Sequence, residues 1–306
     1  MVYNFIFPHG CRQLTIHGYV FSRVPEYIER VQSLQHLISS FSEFEQPINT
    51  GTHAITARVD LPPKEKKPVI KWGDKKATAL DDILLLLSIF TLRDVFAAPE
   101  PIVNGEEVIT ADSREYFFGL RTAIKYEKGE DEYGEQYNIG FQKGLESVYR
   151  RMRSAQWQKE YGRGRFLPLF RSACKSQILE TSFITCWAIW EILFTLHNQC
   201  WLSDEQIIKH PASEKISYVL TRYQIKKTLD AMDRKGIKRF VKMCNALVHA
   251  GRFLDEDALH DATFFVRVTA IIVAQILGLS VSDVLGSQAQ LLARLRGQEV
   301  VPPWKE

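Results

Sequence analysis

Lys238-Arg-Phe-Val-Lys-Met-Cys-Asn-Ala-Leu-Val-His-Ala-Gly-Arg252 decides how the second half of this chain is read. At a helical period Lys238, Lys242, Asn245 and His249 fall at i, i+4, i+7 and i+11, so they share one face. Ile237, Phe240, Val241, Cys244, Leu247 and Val248 make a neighbouring apolar face, and Ala250-Gly251 stands where a helix can stop. A helix of this kind buries one side and offers a base, an amide and cations on the next.

Working outward, the reading from Asn138 onward is almost wholly helical. Phe141, Leu145, Val148, Tyr149 and Met152 recur at helical spacing. Gln177 to His197 is the most apolar helix candidate, with Phe183, Cys186, Trp187, Trp190, Leu193 and Phe194 spread around most of its circumference. That breadth implies burial on more than one side, in a bundle or at a partner interface. Glu180 and Glu191 interrupt it. Ser203-Asp-Glu-Gln206 has the form of a capping box, and Ser213 is a candidate start for a short helix. Asp257 to Leu277 closes the bundle, with Phe264, Phe265, Val268, Ile271, Ile272 and Ile276 as its expected core. Ser280 to Arg296 is expected to add a terminal helix.

The first hundred residues alternate differently. Tyr3 to Phe7, Gln13 to Phe21 and His53 to Leu61 are rich in aromatic and β-branched residues and read as strands, whereas Pro25 to Phe41 and Ala79 to Phe96 read as helices. Leu61-Pro-Pro-Lys-Glu-Lys-Lys-Pro68 breaks regular structure as a solvated loop, and the acidic, glycine-punctuated Glu127 to Gln136 favours an exposed loop over a packed element. The predicted organisation is a mixed α+β domain over 1–125 followed by an all-α helical domain over 126–306, mostly helical overall.

The chain has 306 residues, 45% hydrophobic and 25% charged, which matches a globular composition. A formal charge of +3 is far below that of a dedicated nucleic-acid binder, so any such contact has to be local. Two basic stretches offer one. Tyr149-Arg-Arg-Met-Arg153 reads first as a solvated face with snorkelling arginines and second as an RNA contact; Gly162-Arg-Gly-Arg165 reads as a flexible loop able to touch phosphate. Cys11, Cys174, Cys186, Cys200 and Cys244 are odd in number and lack paired metal-ligand spacing, which fits a reduced, cytoplasmic protein. His9, His17, His36 and His53 also lack ligand spacing, so no metal and no cofactor is expected. The opening residues lack the charged and apolar pattern of a secretory leader, so none is expected, and the apolar runs Ile83 to Phe90 and Thr269 to Leu279 are too short to span a bilayer.

Two stretches together, Phe183-Ile-Thr-Cys-Trp-Ala-Ile-Trp-Glu-Ile-Leu-Phe194 and Cys244-Asn-Ala-Leu-Val-His-Ala-Gly251, resemble the first long helix and the signature helix of HEPN domains. These are helical bundles that typically dimerise and include many metal-independent endoribonucleases. The resemblance covers roughly 166 to 279. Their signature is an arginine, four to six residues, then a histidine, commonly with asparagine directly after the arginine. By position Asn245 matches the polar residue, His249 the histidine and Glu191 an acidic position of the long helix. Cys244 stands where the arginine belongs, and a thiol supplies no guanidinium fork.

The resemblance implies a homodimeric, HEPN-like RNA-binding protein, with metal-independent cleavage in a bacterial defence or toxin-like setting as the activity. His249 is then acid or base, Asn245 positions the phosphate or the histidine, and Lys242 stabilises charge; Arg252, Arg239 and Glu191 are the substrate-binding candidates. The chemistry needs a base for the ribose hydroxyl, cations for the crowded phosphate and an acid for the leaving oxygen, and an imidazole exchanges protons near neutral pH. Against this, a histidine near a helix end is often only a cap, Cys244 on the apolar face reads as a small core residue, and Glu191 reads as an ion-pair partner of Lys242 or Arg252. A non-catalytic dimer that senses or scaffolds is the alternative, because of Cys244.

Overall fold

Leu14 and Ile16, then Tyr19 and Phe21, are buried while Gln13, Thr15 and Val20 between them are not, the alternation that a strand with one covered face requires. The computed structural model describes residues 1–7, 11–31, 55–62, 78–91, 95–97, 128–130, 136–176, 178–225, 234–253 and 257–279. The helix expected over 280–296, most of the lysine-rich loop, and His9, His36 and His53 lie outside them. The chain is mostly helical with a small antiparallel sheet, and it divides into two compact units.

The first unit takes in residues 1–113 and 124–150. Its sheet contains β1 (Val2–Tyr3), β2 (Gln13–Ile16), β3 (Tyr19–Arg23), β4 (Ile55–Asp60) and β5 (Phe96–Ala97), in the order β2-β3-β4-β1-β5 with each of these neighbouring pairs antiparallel. The stretch read as one strand over Gln13–Phe21 is a hairpin. His17 and Gly18 both take positive φ, +50° and +83°, which is the two-residue turn whose twist suits a right-handed pair of strands. The strand expected over Tyr3–Phe7 is cut short at Tyr3, because Asn4 turns to a φ of +60°; Phe5 and Phe7 are buried outside the ladder. Of the helix expected over Pro25–Phe41, residues 27–31 are helical and the remainder is outside the described residues.

Helix α1 (Ala79–Thr91) starts on a reciprocal cap: the Thr78 hydroxyl accepts from Asp81 N–H at 3.2 Å, and the Asp81 carboxylate accepts from Thr78 N–H at 2.7 Å. It stops before Phe96, which sequence periodicity had put inside it. The Ser88 hydroxyl donates to Leu84 O at 2.8 Å and accepts from Val95 N–H at 3.0 Å, so the chain returns to the helix before pairing with β1. Residues expected to form an acidic loop include an antiparallel pair, β6 (Lys128–Glu130) and β7 (Gln136–Asn138). Helix α2 (Ile139–Arg153) follows directly. Its Gln142 and Glu146 carboxamide and carboxylate oxygens accept from Thr15 N–H at 3.4 Å and His17 N–H at 3.5 Å, and Tyr149 lies against the His17 ring. The Thr15 N–H of edge strand β2 and the His17 N–H of the turn after it are thereby occupied, which blunts part of an otherwise open template. The boundary placed at 125/126 from sequence ignores this side-chain tie, through which α2 up to Arg150 packs with the sheet.

The second unit contains α3 (Ala155–Glu160), a 3-10 turn (Gly162–Gly164), α4 (Phe166–Lys175), α5 (Leu179–Asn198), α6 (Asp204–Lys209), α7 (Ala212–Arg222), α8 (Arg234–Ala250) and α9 (Asp257–Ile276). Helix α5 is its axis and packs against α4, α7, α8 and α9. By length and composition α5 is the one described helix able to cross a membrane. The packing gives its apolar circumference another use: Phe183, Cys186, Ile189, Trp190, Leu193 and Phe194 are buried among neighbours. Phe265 of α9 is the centre of this core, with the rings of Phe183, Trp190 and Phe240 at 4.9, 4.5 and 5.1 Å. The Trp190 indole N–H would be stranded there without an acceptor. Thr269 supplies one at 2.8 Å and donates in turn to Phe265 O.

Other connections are closed by local chemistry. Both arms of the Ser203–Gln206 capping box are present, whereas α7 begins on Pro211 and not on Ser213. The Gly162-Arg-Gly-Arg165 stretch, expected as a flexible loop, is a packed turn. Gly162 and Gly164 have φ of +54° and +71°, and a Cβ on Gly164 would meet the Trp157 ring at 2.9 Å. In the Tyr149–Arg153 cluster, Arg150 pairs with Glu146 and Arg151 Nε donates to Ile276 O at 3.1 Å. Those two arginines serve structure first.

Candidate functional site

Helix α8 carries the residues singled out by the sequence. Ile237, Phe240, Met243, Cys244, Ala246 and Leu247 are buried, and Lys238, Lys242, Asn245 and His249 are exposed along the other side. The amphipathic split is therefore as spacing predicts, with one correction: Val248, assigned to the apolar face, is 67% exposed. Val248 continues the stripe of Ile237, Val241 and Cys244 in helical phase, and at the end of the helix, three residues before Gly251, it is uncovered. Gly251 ends the helix at a φ of +69°, its N–H bonded to Leu247 O at 3.0 Å, and a side chain there would meet nothing within 4 Å. Among the described residues no hydrogen bond or ion pair engages the side chains of Lys238, Lys242, Asn245, His249 or Arg252, all of them exposed.

Two other expected substrate contacts are committed elsewhere. Arg239 forms an ion pair with Asp261 of α9. Glu191 was expected to pair with Lys242 or Arg252; it pairs instead with Lys215 of α7, Nζ to Oε2 at 2.7 Å. Lys215 is only 8% exposed, and its ammonium also lies 5.8 Å from the centroid of the Phe194 ring. A carboxylate projecting from the most apolar helix needs a cation close by, and a lysine set between the buried positions of α7 is the nearest solution. Lys215 is the residue sequence reasoning missed. Its signal was present: it precedes Ile216 and lies four residues before Val219, on the face that goes inward.

Cys244 is buried beside that pair. Burial first, and the Glu191 charge second, push its thiol up to about 11. It stays protonated at neutral pH, which removes a thiolate role and fits a small core residue. Among the described residues no group of three His, Cys, Asp or Glu side chains is placed to hold a metal ion. All five cysteines are free thiols. What the face can do is meet an anion: Lys238 and Lys242 stand one helical turn apart, an amide and an imidazole continue the line, and nothing described neutralises them.

No protein-family model, no curated protein and no solved structure matches this chain.

The Glu191–Lys215 pair carries its own expected outcome. Lys215→Met should destabilise the second unit by about 2 kcal/mol, since it leaves a carboxylate against apolar neighbours, while Lys215→Met combined with Glu191→Gln should recover at least half of that. Urea unfolding followed by tryptophan fluorescence measures both. Simple additivity of the two substitutions would remove the pair from the account.

Proposed function

We propose that the second unit is a HEPN-like module that binds RNA through the exposed face of α8 and cleaves it without a metal. The observation that carries this reading is the row Lys238, Lys242, Asn245 and His249, exposed together on one side of a helix whose other side is core. Lysine ammonium groups take phosphate oxygens as point charges, Asn245 donates from its amide to a phosphate or holds the imidazole, and His249 moves the proton at the ribose hydroxyl or the leaving oxygen. Arg252, just beyond the helix, extends the cationic line.

A homodimer completes the proposal. Two copies facing one another through α8 would supply two imidazoles and at least four lysines to one phosphate, which offsets the missing arginine at Cys244. The uncovered Val248 gives such a face an apolar contact beside the polar row. Free thiols throughout suit a cytoplasmic setting. A second reading has its own support: with Cys244 buried and protonated, Arg239 tied to Asp261 and Glu191 tied to Lys215, the helix offers no free guanidinium at the signature position, and a binding-only scaffold needs none.

Binding is tested by its salt dependence. Each phosphate contact released from a single strand lowers the slope of log affinity against log salt by about 0.7. Lys238→Gln with Lys242→Gln is therefore expected to reduce that slope by about 1.4 for each protomer that contacts the strand, in filter binding with single-stranded RNA. An unchanged slope would place the RNA elsewhere, or nowhere, on the protein.

A further inference from the structure

We propose that Arg23 and Arg30 make an anion site in the first unit, one that takes the phosphate group of a small molecule. Strand alternation puts Arg23, the last residue of β3, on the covered side with Tyr19 and Phe21. A charge on that side is costly unless something answers it. Arg30 and Arg58 of the same unit are answered by Glu26 and Asp60, at 3.4 and 3.6 Å. Arg23 is not: among the described residues its guanidinium has no carboxylate and no hydrogen-bond acceptor.

What holds it is aromatic. Its Cζ lies 4.5 Å from the centroid of the Tyr27 ring and 5.8 Å from that of Phe7. The two rings meet edge to face at 5.6 Å, both are buried, and the Tyr27 hydroxyl accepts from Phe7 N–H at 2.9 Å, so the platform is fixed. The backbone under the arginine is fixed too: Arg23 N–H donates to Arg12 O and Val24 N–H to Thr56 O. Glu26 then takes a φ of +62°, a torsion that residues with a Cβ rarely adopt, and the chain turns there into the helical residues 27–31. That turn carries Tyr27 back over Arg23.

The second cation comes from the same helical turn. Arg30 follows Tyr27 by three residues and so shares its side of the helix, and its Nη1 donates to Ile55 O at 3.5 Å. Arg23 stands opposite Ala57 on β4, two residues, or about 7 Å, along the strand from Ile55. Both guanidinium groups therefore serve one corner of the sheet. Arg23 Nε is sealed from solvent, so the nitrogens left for a ligand are Nη1 and Nη2. Stacking uses the face of a guanidinium and leaves its edge, where an oxyanion docks through two oxygens. An anion shared with Arg30 on the helix needs oxygens outside one plane; a tetrahedral phosphate has them and a flat carboxylate does not. Two guanidinium groups against the Glu26 carboxylate leave one positive charge, which suits a single phosphate group better than a polyanion.

The full chain, labelled with nitrogen-15 at arginine, is titrated with inorganic phosphate, and separately with acetate and chloride at matched ionic strength. Phosphate is expected to move the Arg23 Nε–H signal along a saturating curve, and equilibrium dialysis is expected to give one phosphate per chain. Arg23→Gln should abolish binding; Arg23→Lys, with a charge but no fork, should weaken it by about tenfold, and Arg30→Gln should weaken it as well. A shift that does not saturate, an equal response to acetate, or unchanged binding by Arg23→Gln overturns the proposal. If Arg23→Gln does not fold, the wild-type titration and Arg30→Gln decide it: a still Arg23 signal, or dialysis unchanged in Arg30→Gln, overturns it. Single-stranded RNA is the last arm. Its affinity should be the same for wild type and Arg23→Gln, and a loss in the variant would overturn the small-molecule site in favour of a polynucleotide.

Discussion

Phe265→Ala is expected to destabilise the second unit by about 4 kcal/mol, a large share of the 5–15 kcal/mol that holds a typical domain together. Phe265 is fully buried, and the rings of Phe183, Trp190 and Phe240 stand within 5.1 Å of its own. Those three rings come from α5 and α8, so the deletion opens a void where α9 meets both helices. Rigid aromatic neighbours cannot collapse into it, which puts the effect toward the upper end for phenylalanine truncation. Thr269, which satisfies the Trp190 indole, also donates to the Phe265 carbonyl, so a shift of α9 disturbs a buried hydrogen-bonded pair as well. Phe265→Leu, which fills most of the space, should lose closer to 1 kcal/mol. Urea unfolding read by tryptophan fluorescence separates the two; a loss below 1 kcal/mol for alanine would mean that this cluster is not the centre of the core.

The helices were legible where burial is periodic, and illegible where a single backbone torsion or a side-chain acceptor decides. Spacing alone places α5, α8 and α9 within a few residues of their ends, because α8 and α9 each hide an apolar face and α5 is apolar around most of its circumference. The hairpin at His17-Gly18 was read through as one strand because the residues on either side keep alternating; only the two positive torsions reveal the turn. The association of α2 with the edge of the sheet depends on Gln142 and Glu146 finding backbone donors more than a hundred residues away, which no local pattern encodes.

The candidate site divides in the same way. The exposure of Lys238, Lys242, Asn245 and His249 is a matter of helical phase and was readable. The partners of Glu191 and Arg239 are matters of tertiary approach. Sequence alone offers Lys242 or Arg252 as a cation for Glu191, but α5 presents that carboxylate to α7, and Lys215 is there. Consequently the cations of the row are not consumed by Glu191, and the proposal that they meet phosphate is stronger for that correction. One substrate-binding candidate outside the row is spent on structure, since Arg239 is engaged by Asp261.

His249→Ala is expected to lower metal-independent RNA cleavage by at least a hundredfold, the lower range for losing a positioned proton-transfer group. The assay is incubation of purified protein with RNA in EDTA, with the salt-slope measurement run on the same variant. The two readouts separate chemistry from affinity: an imidazole that moves protons contributes to the rate, while Lys238 and Lys242 supply most of the electrostatic binding, so His249→Ala should leave the slope within about 0.7 of wild type. Lys242→Ala should affect both. Cys244→Arg is the informative counterpart, because it tests whether the guanidinium at the signature position is what the row lacks; its side chain would start at a buried position and extend toward the exposed face. Cleavage by wild type that disappears with His249 supports the enzyme. Cleavage that arises only in Cys244→Arg, and again needs His249, assigns the native protein to the binding-only reading with the rest of the site intact. Equal cleavage by wild type and His249→Ala would take the imidazole out of the reaction, and with it the reason to regard this face of α8 as more than a cationic surface.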